Sequence, residues 1–170
     1  MASSGRIPKV WKLYDELIAA VPDVFTGMIE ELRGKRVAVV GHFRHLERIS
    51  GICQLSVLER RPGQGDLPDT ACEYVLGEQD VVFMTATTLV NKTMPRLLEL
   101  SRNARVVVAG PSTPLHPLLF AHGVDLLGGL IVDDQDAAWR AVAEGGHKAL
   151  FLQGGRMVKV TSLHAACGNL

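Results

Sequence analysis

Short apolar runs punctuate the chain from residue 36 onward: Val37–Val40, Leu55–Leu58, Val81–Met84, Val106–Ala109 and Val124–Leu127. Each is rich in Val and Leu and continuous rather than alternating. A strand buried on both faces reads this way, and parallel sheets produce such strands. The intervening stretches Thr88–Arg102, Pro114–His122 and Asp134–Glu144 have the length and pattern of crossover helices. Strands alternating with helices predict an open, three-layer α/β domain with a mostly parallel sheet of about five or six strands. The tail supplies one further strand over Met157–Val160, expected to run antiparallel.

The first 34 residues have a different texture. Trp11, Tyr14, Ile18 and Val21 recur at helical spacing, and Leu13 and Leu17 widen the stripe. Pro8 suits a first turn and Pro22 ends the pattern. Asp23 then caps a second helix carrying Val24, Met28, Ile29 and Leu32, stopped at Gly34. The chain therefore divides into an N-terminal helical hairpin, 1–34, and an α/β domain, 35–170.

Composition narrows the function classes. The 170 residues carry 18 basic and 18 acidic side chains, so the formal net charge is zero. A nucleic-acid binder normally shows a basic excess, so nucleic acid is not an expected partner. No apolar run reaches the length of a membrane span, and the N-terminus lacks a signal-peptide pattern. Three widely spaced cysteines, Cys53, Cys72 and Cys167, fit reduced thiols. A cytoplasmic location is the expectation.

Open α/β sheets bind ligands beyond the carboxyl ends of their strands, near the switch in strand order. Those ends carry Gly41-His42-Phe43-Arg44, then Glu59-Arg60-Arg61, then Thr85 to Thr88 with Asn91-Lys92-Thr93, then Gly110-Pro111-Ser112-Thr113-Pro114, and finally Gly128-Gly129. Thr87 or Thr88, and Ser112 or Thr113, precede helical patterns and are expected as N-caps, where free N–H groups suit anions. Capping alone explains such residues equally well. Lys92 and Asn91 fall where a side chain reaches an anion. Glu59 sits where an acid accepts from a ribose hydroxyl.

The specific motifs of several enzyme classes are missing. There is no dinucleotide glycine fingerprint, no P-loop, no Gly-x-Ser-x-Gly elbow, and no Cys-x-x-Cys or His-Glu-x-x-His pair. Gly63-Gln-Gly65 reads as a flexible loop. His42 is the candidate for a divalent metal ion, with His45 brought to the same face if the segment after Gly41 is helical. His116 lies near the fourth strand end, while His122, His147 and His164 read as surface residues. Cys53 reads as core, Cys72 as a short-helix residue and Cys167 as tail.

Val39-Val-Gly-His-Phe43, Gly65-Asp-Leu-Pro68, Thr87-Thr-Leu-Val-Asn-Lys-Thr93 and Gly110-Pro-Ser-Thr-Pro-Leu115 resemble, in order, the protein family described as "Putative heavy-metal chelation". The resemblance spans roughly residues 35–155 and implies a Rossmann-like domain. Members typically add a domain similar to the enolase N-terminal domain, most of which this chain lacks, and often place proline where Arg44 stands. Together, residues and resemblance point to a domain binding a small molecule or metal complex. Its expected site is Gly41, His42, Phe43, Thr87, Thr88, Asn91, Lys92, Gly110, Pro111, Ser112 and Thr113, with His42 as metal ligand or hydrogen-bond donor. Two alternatives stay open: an enzyme acting on a metal-bound or aromatic molecule in that cleft, and a non-catalytic subunit assembling through the N-terminal helices with itself or a separate partner.

Overall fold

The computed structural model describes residues 18–20, 23–146 and 154–161. Among the described residues eight strands make one sheet: β1 (Ile18–Ala20), β2 (Arg36–Val40), β3 (Gln54–Glu59), β4 (Leu67–Pro68), β5 (Val81–Thr85), β6 (Arg105–Ala109), β7 (Leu126–Val132) and β8 (Gly155–Thr161). Their spatial order is β1-β8-β7-β6-β5-β2-β3-β4. Every pairing from β4 across to β7 is parallel. β8 runs antiparallel to β7, as the tail pattern predicts, and β1 runs antiparallel to β8. The helices are α1 (Ile29–Leu32), α2 (Glu47–Ser50), α3 (Cys72–Val75), α4 (Thr87–Val90), α5 (Met94–Leu100), α6 (Leu118–Ala121) and α7 (Gln135–Ala143).

Successive strand side chains point to opposite faces, so a doubly covered strand must be apolar at every position. On one face Ala38, Val40, Val82, Met84, Val106 and Val108 pack under Cys72, Leu76, Met94 and Leu97 from α3, α5 and the turn between. On the other, Val37, Val39, Val81, Phe83, Val107 and Ala109 meet Val24, Phe25, Met28, Leu32, Leu46 and Ile49. Full burial of each Val, Leu, Ile, Met or Phe side chain among these stabilises the fold by about 1.5–3 kcal/mol. Phe25 ties this second layer together. Its ring stands edge-on to Phe43 at 5.5 Å and tilted against Phe83 at 4.7 Å.

Several local expectations change. Asp23 does cap the segment after it, accepting from the Thr26 N–H at 2.8 Å. Ile18–Ala20, however, form an edge strand on β8 instead of continuing a helix to Val21, which satisfies backbone groups that β8 would otherwise leave open. Trp11, Leu13, Tyr14, Leu17 and Val21, and likewise His147, His164 and Cys167, lie outside the described residues. β7 starts two residues later than Val124 and runs on to Val132, so Gly128 and Gly129 lie inside the strand rather than at its end. The partner β8 pairs along its whole length and prolongs it. A Cβ on Gly129 would stand 2.8 Å from Leu115 Cδ2, and one on Gly128 would stand 3.2 Å from Val24. Segments from both faces close on this strand, so a side chain at either glycine would have to push Val24 or Leu115 aside.

The single helix expected over Thr88–Arg102 breaks into α4 and α5. Asn91 Oδ1 accepts from the Thr93 N–H at 3.1 Å and from the Thr93 hydroxyl at 2.7 Å, diverting the backbone from the helix. Lys92 turns with φ +65° and Pro95 opens the next helix. Gly63–Gly65 is a built turn, not a loose loop: the Gly63 N–H donates to Asp66 Oδ2 at 2.9 Å.

Phe83→Ala should cost about 3–5 kcal/mol in urea denaturation, because it empties the aromatic contact beneath both β2 and β5. Gly154→Ala should cost about 1–3 kcal/mol as overpacking, since its Cβ would lie 2.6 Å from Ala138 Cα. A Gly154→Ala change within 0.5 kcal/mol of the parent, the range of an ordinary surface substitution, would contradict the seating of α7 against β8.

Candidate functional site

The chain leaves β2 for β3 on one side, then crosses back over β2 to reach β5 on the other. The loops beyond β2 therefore diverge, and a crevice must open where they part. A small cleft of about 120 Å³ lies there. Val40, Leu58 and Leu97 form its apolar side, and Glu59, Arg60, Asp69, Cys72, Thr85, Thr87, Thr88, Asn91 and Thr93 supply the polar groups. A larger hollow of about 710 Å³ runs between α5 and α6 past Leu98, Arg102 and Leu119 to Ala104 and Asp125. It descends to the amino-terminal ends of β6 and β7, away from the strand ends where open sheets bind ligands.

Of the expected residues, Thr87, Thr88 and Asn91 meet in this cleft. Neither threonine is the N-cap of its helix. That position is Ala86, and no side chain caps it. Thr88 is buried and donates to the Thr85 carbonyl at 2.7 Å, locking the turn, while the Thr87 hydroxyl donates to Thr85 Oγ1 at 3.1 Å. Asn91 spends its carbonyl oxygen on Thr93, leaving its amide N–H groups to a ligand. Lys92 is exposed at the rim of the same turn.

The Gly41–Phe43 turn borders the cleft without lining it. Gly41 has φ +97° and sits so close to Thr85 that a Cβ would lie 2.7 Å from Thr85 Cγ2. Its N–H continues the ladder to Leu58 at 2.9 Å and is not offered to a ligand. Phe43 anchors the turn into the aromatic layer. His42 projects into solvent with Nδ1 3.7 Å from Asp66 Oδ2. His45 does not share its face: the segment is not helical, His45 has φ +67°, and its Nδ1 lies 3.2 Å from Glu47 Oε1.

Gly110–Thr113 lies one strand further, curled over β7. The Gly110 N–H donates to Gly128 at 3.0 Å and the Thr113 N–H to Gly110 at 3.0 Å. Pro111 and Ser112 are exposed on this curl, whereas Thr113 is buried with a hydroxyl that has no partner among the described residues. Neither Ser112 nor Thr113 caps α6, whose N-cap is Pro117. His116 Nδ1 accepts from the Leu118 N–H at 3.1 Å.

Thr85, Thr93 and Arg60, which the sequence placed at strand ends but not among the expected site residues, line the cleft, as does Asp69, which it did not single out. The threonines follow from their places at the end of β5 and beside Asn91. Arg60 and Asp69 become neighbours, 3.4 Å apart, only because the chain turns back after β3. Glu59 does not reach outward: Oε1 accepts from the Arg60 N–H at 2.7 Å and the Arg61 N–H at 3.4 Å.

The family model described as "Putative heavy-metal chelation" matches residues 23–161. The chain belongs to this family. Among solved structures, a family member of unknown function from Desulfitobacterium hafniense is 43% identical, with TM-score 0.80 over 91% of this chain and 63% of that one. A second member of unknown function, from Pyrococcus horikoshii, is 21% identical, with TM-score 0.76 over 85% and 60% of the respective chains, and speaks to the fold alone. The chain thus spans under two thirds of the length of these relatives. No curated protein matches it.

A heavy-metal chelation family raises the question whether this cleft holds a bare ion. Among the described residues no three His, Cys, Asp or Glu side chains converge to hold one. Cys72 is the soft donor nearest the cleft floor, but burial, reinforced by the charge of Asp69, pushes its thiol from 9.0 up to about 11. At neutral pH it is a protonated thiol, not the thiolate that binds metals. The described donors do not fit a bare ion.

The same shift makes an alkaline prediction. A thiol whose folded-state value is raised contributes its full stability below the unfolded value and loses it as pH rises through the folded one. The stability difference between the parent and Cys72→Ala should therefore be constant below pH 9.0 and shrink toward about 11. Urea denaturation across that window reads it, and a difference that stays flat contradicts the burial of this thiol.

Proposed function

We propose that the cleft at the carboxyl ends of β3, β2 and β5 binds a small molecule or a metal complex. Thr87 and Asn91 offer it hydrogen bonds, Thr88 braces the floor, and His42 and Lys92 stand at the rim. The observation that carries this reading is the crossover at β2, with a cleft there floored by hydroxyl and amide groups. Membership of a heavy-metal chelation family supports a metal within the ligand. Among the described residues, no helix is long and apolar enough to cross a membrane. The reading places the protein in a reducing cytoplasm, in keeping with the free thiols of Cys53 and Cys72.

Thermal unfolding of chelator-treated protein against divalent metal salts, nucleotides, nicotinamide cofactors and flavin- or pterin-like aromatics tests it. A ligand at a hundredfold excess over its Kd adds about 2.7 kcal/mol of stability. Thr87→Val and Asn91→Ala should each weaken binding by about tenfold, the worth of one well-placed hydrogen bond. A ligand-induced shift unchanged in Thr87→Val, Asn91→Ala and His42→Ala places the site elsewhere.

A second reading, association with another copy, is favoured by α7, where Trp139 is 76% and Val142 60% exposed. Large exposed apolar side chains one helical turn apart mark interaction surfaces. Light scattering should find a dimer that Trp139→Glu converts to monomer; a parent protein that is monomeric throughout removes this reading.

A further inference from the structure

The carboxylates and cations around the cleft are unequally engaged. Glu59 is folded onto the N–H groups of Arg60 and Arg61. Asp66 accepts from Gly63 and faces His42, Asp69 pairs with Arg60, and Glu47 pairs with His45. At the end of β7, Asp133 pairs with Arg156 and Asp134 caps α7. The carboxylates beside the cleft, Glu59, Asp66 and Asp69, are thus occupied. Arg44, Arg61 and Lys92 are exposed, and their side chains make no ion pair or hydrogen bond among the described residues.

These three cations sit on the loops that follow β2, β3 and β5, three adjacent strands. Neighbouring strands are about 4.8 Å apart, so the bases of those loops span about 10 Å, the width of a small polyanion. Beneath lie the threonines and Asn91, with the Arg60–Asp69 ion pair and the Glu59 carboxylate, already held by two N–H groups, on the β3 side. Resting on the cleft reading above, we propose that the ligand of this cleft is a small polyanion held by Arg44, Arg61 and Lys92, and that a metal arriving there arrives inside an anionic chelate. The absence of three converging donors among the described residues and the spare positive charge then have one explanation: other groups of the chelate complete the metal's coordination, and the protein holds the chelate by its negative charge.

Isothermal titration with four probes tests this: nickel chloride, citrate, the nickel–citrate complex and pyrophosphate. The expected result is that citrate, nickel–citrate or pyrophosphate binds at low ionic strength, and that nickel chloride binds at least tenfold more weakly. The carboxylate and phosphate arms decide which anion chemistry the rim prefers. Affinity should fall about tenfold in Arg61→Glu and again in Lys92→Glu, and fall with added salt as the screening length contracts to about 8 Å at physiological strength. Circular dichroism checks that these surface variants fold, and Lys92→Arg should retain binding. Bare nickel binding more tightly than every anionic probe overturns the inference, as does failure of all anionic probes to bind. Charge reversals without effect while Asn91→Ala and Thr87→Val abolish binding overturn the inference but leave the cleft reading standing. Binding indifferent to Asn91→Ala and Thr87→Val overturns the cleft reading itself.

Discussion

The inner strands β2, β5 and β6 must bury side chains on both faces at once, and almost every other feature follows from meeting that demand. Val37 and Val39 face one layer while Ala38 and Val40 face the other, so a helix or turn must cover each side. Covering both sides with parallel strands requires crossovers in two directions from β2. The cleft is the geometric consequence of that reversal. Phe25, lying between Phe43 and Phe83, shows how closely the two are coupled: the residue that seals the core also seats the turn carrying His42.

Around the cleft, hydrogen bonds within the protein decide which groups are left for a ligand. Gly41 and Gly110 spend their N–H groups on the sheet, so their value lies in shape: Gly41 permits the close approach of Thr85, and Gly110 takes a φ of +134°. The Thr88 hydroxyl is spent on the turn from β5 into α4, and that of Thr93 on the turn between α4 and α5. The Asn91 amide N–H groups, the accepting lone pairs of the Thr87 hydroxyl (whose proton goes to Thr85 Oγ1) and the unpaired cations are what remains. That remainder suits an extended polar or anionic molecule better than a naked soft cation, which would need several converging deprotonated donors.

The family resemblance legible in the sequence and the family membership agree, and both place this chain on a Rossmann-like scaffold shorter than its solved relatives. Fold alone does not confer chemistry. The local features that bear on chemistry are Arg44 on the turn after β2, the Asn91–Thr93 lock, and a protonated Cys72 lining the cleft.

Periodicity in the sequence determined the parallel strands β2, β3, β5, β6 and β7, the antiparallel β8 and the helix α7, because burial on one or two faces writes itself directly into residue order. It also put the right segments at the strand ends. Tertiary structure alone decided the rest. The edge strands β1 and β4 exist because neighbouring strands offer open backbone groups, which no local pattern records. The passage of β7 through Gly128 and Gly129 depends on Leu115 and Val24 closing on it from distant segments. Which rim charges stay unpaired was likewise invisible along the chain, since Asp69 reaches Arg60, and Asp66 faces His42, only after the chain has folded back. Short-range pattern encodes burial, while pairing between segments far apart in sequence is settled by the packing that brings them together.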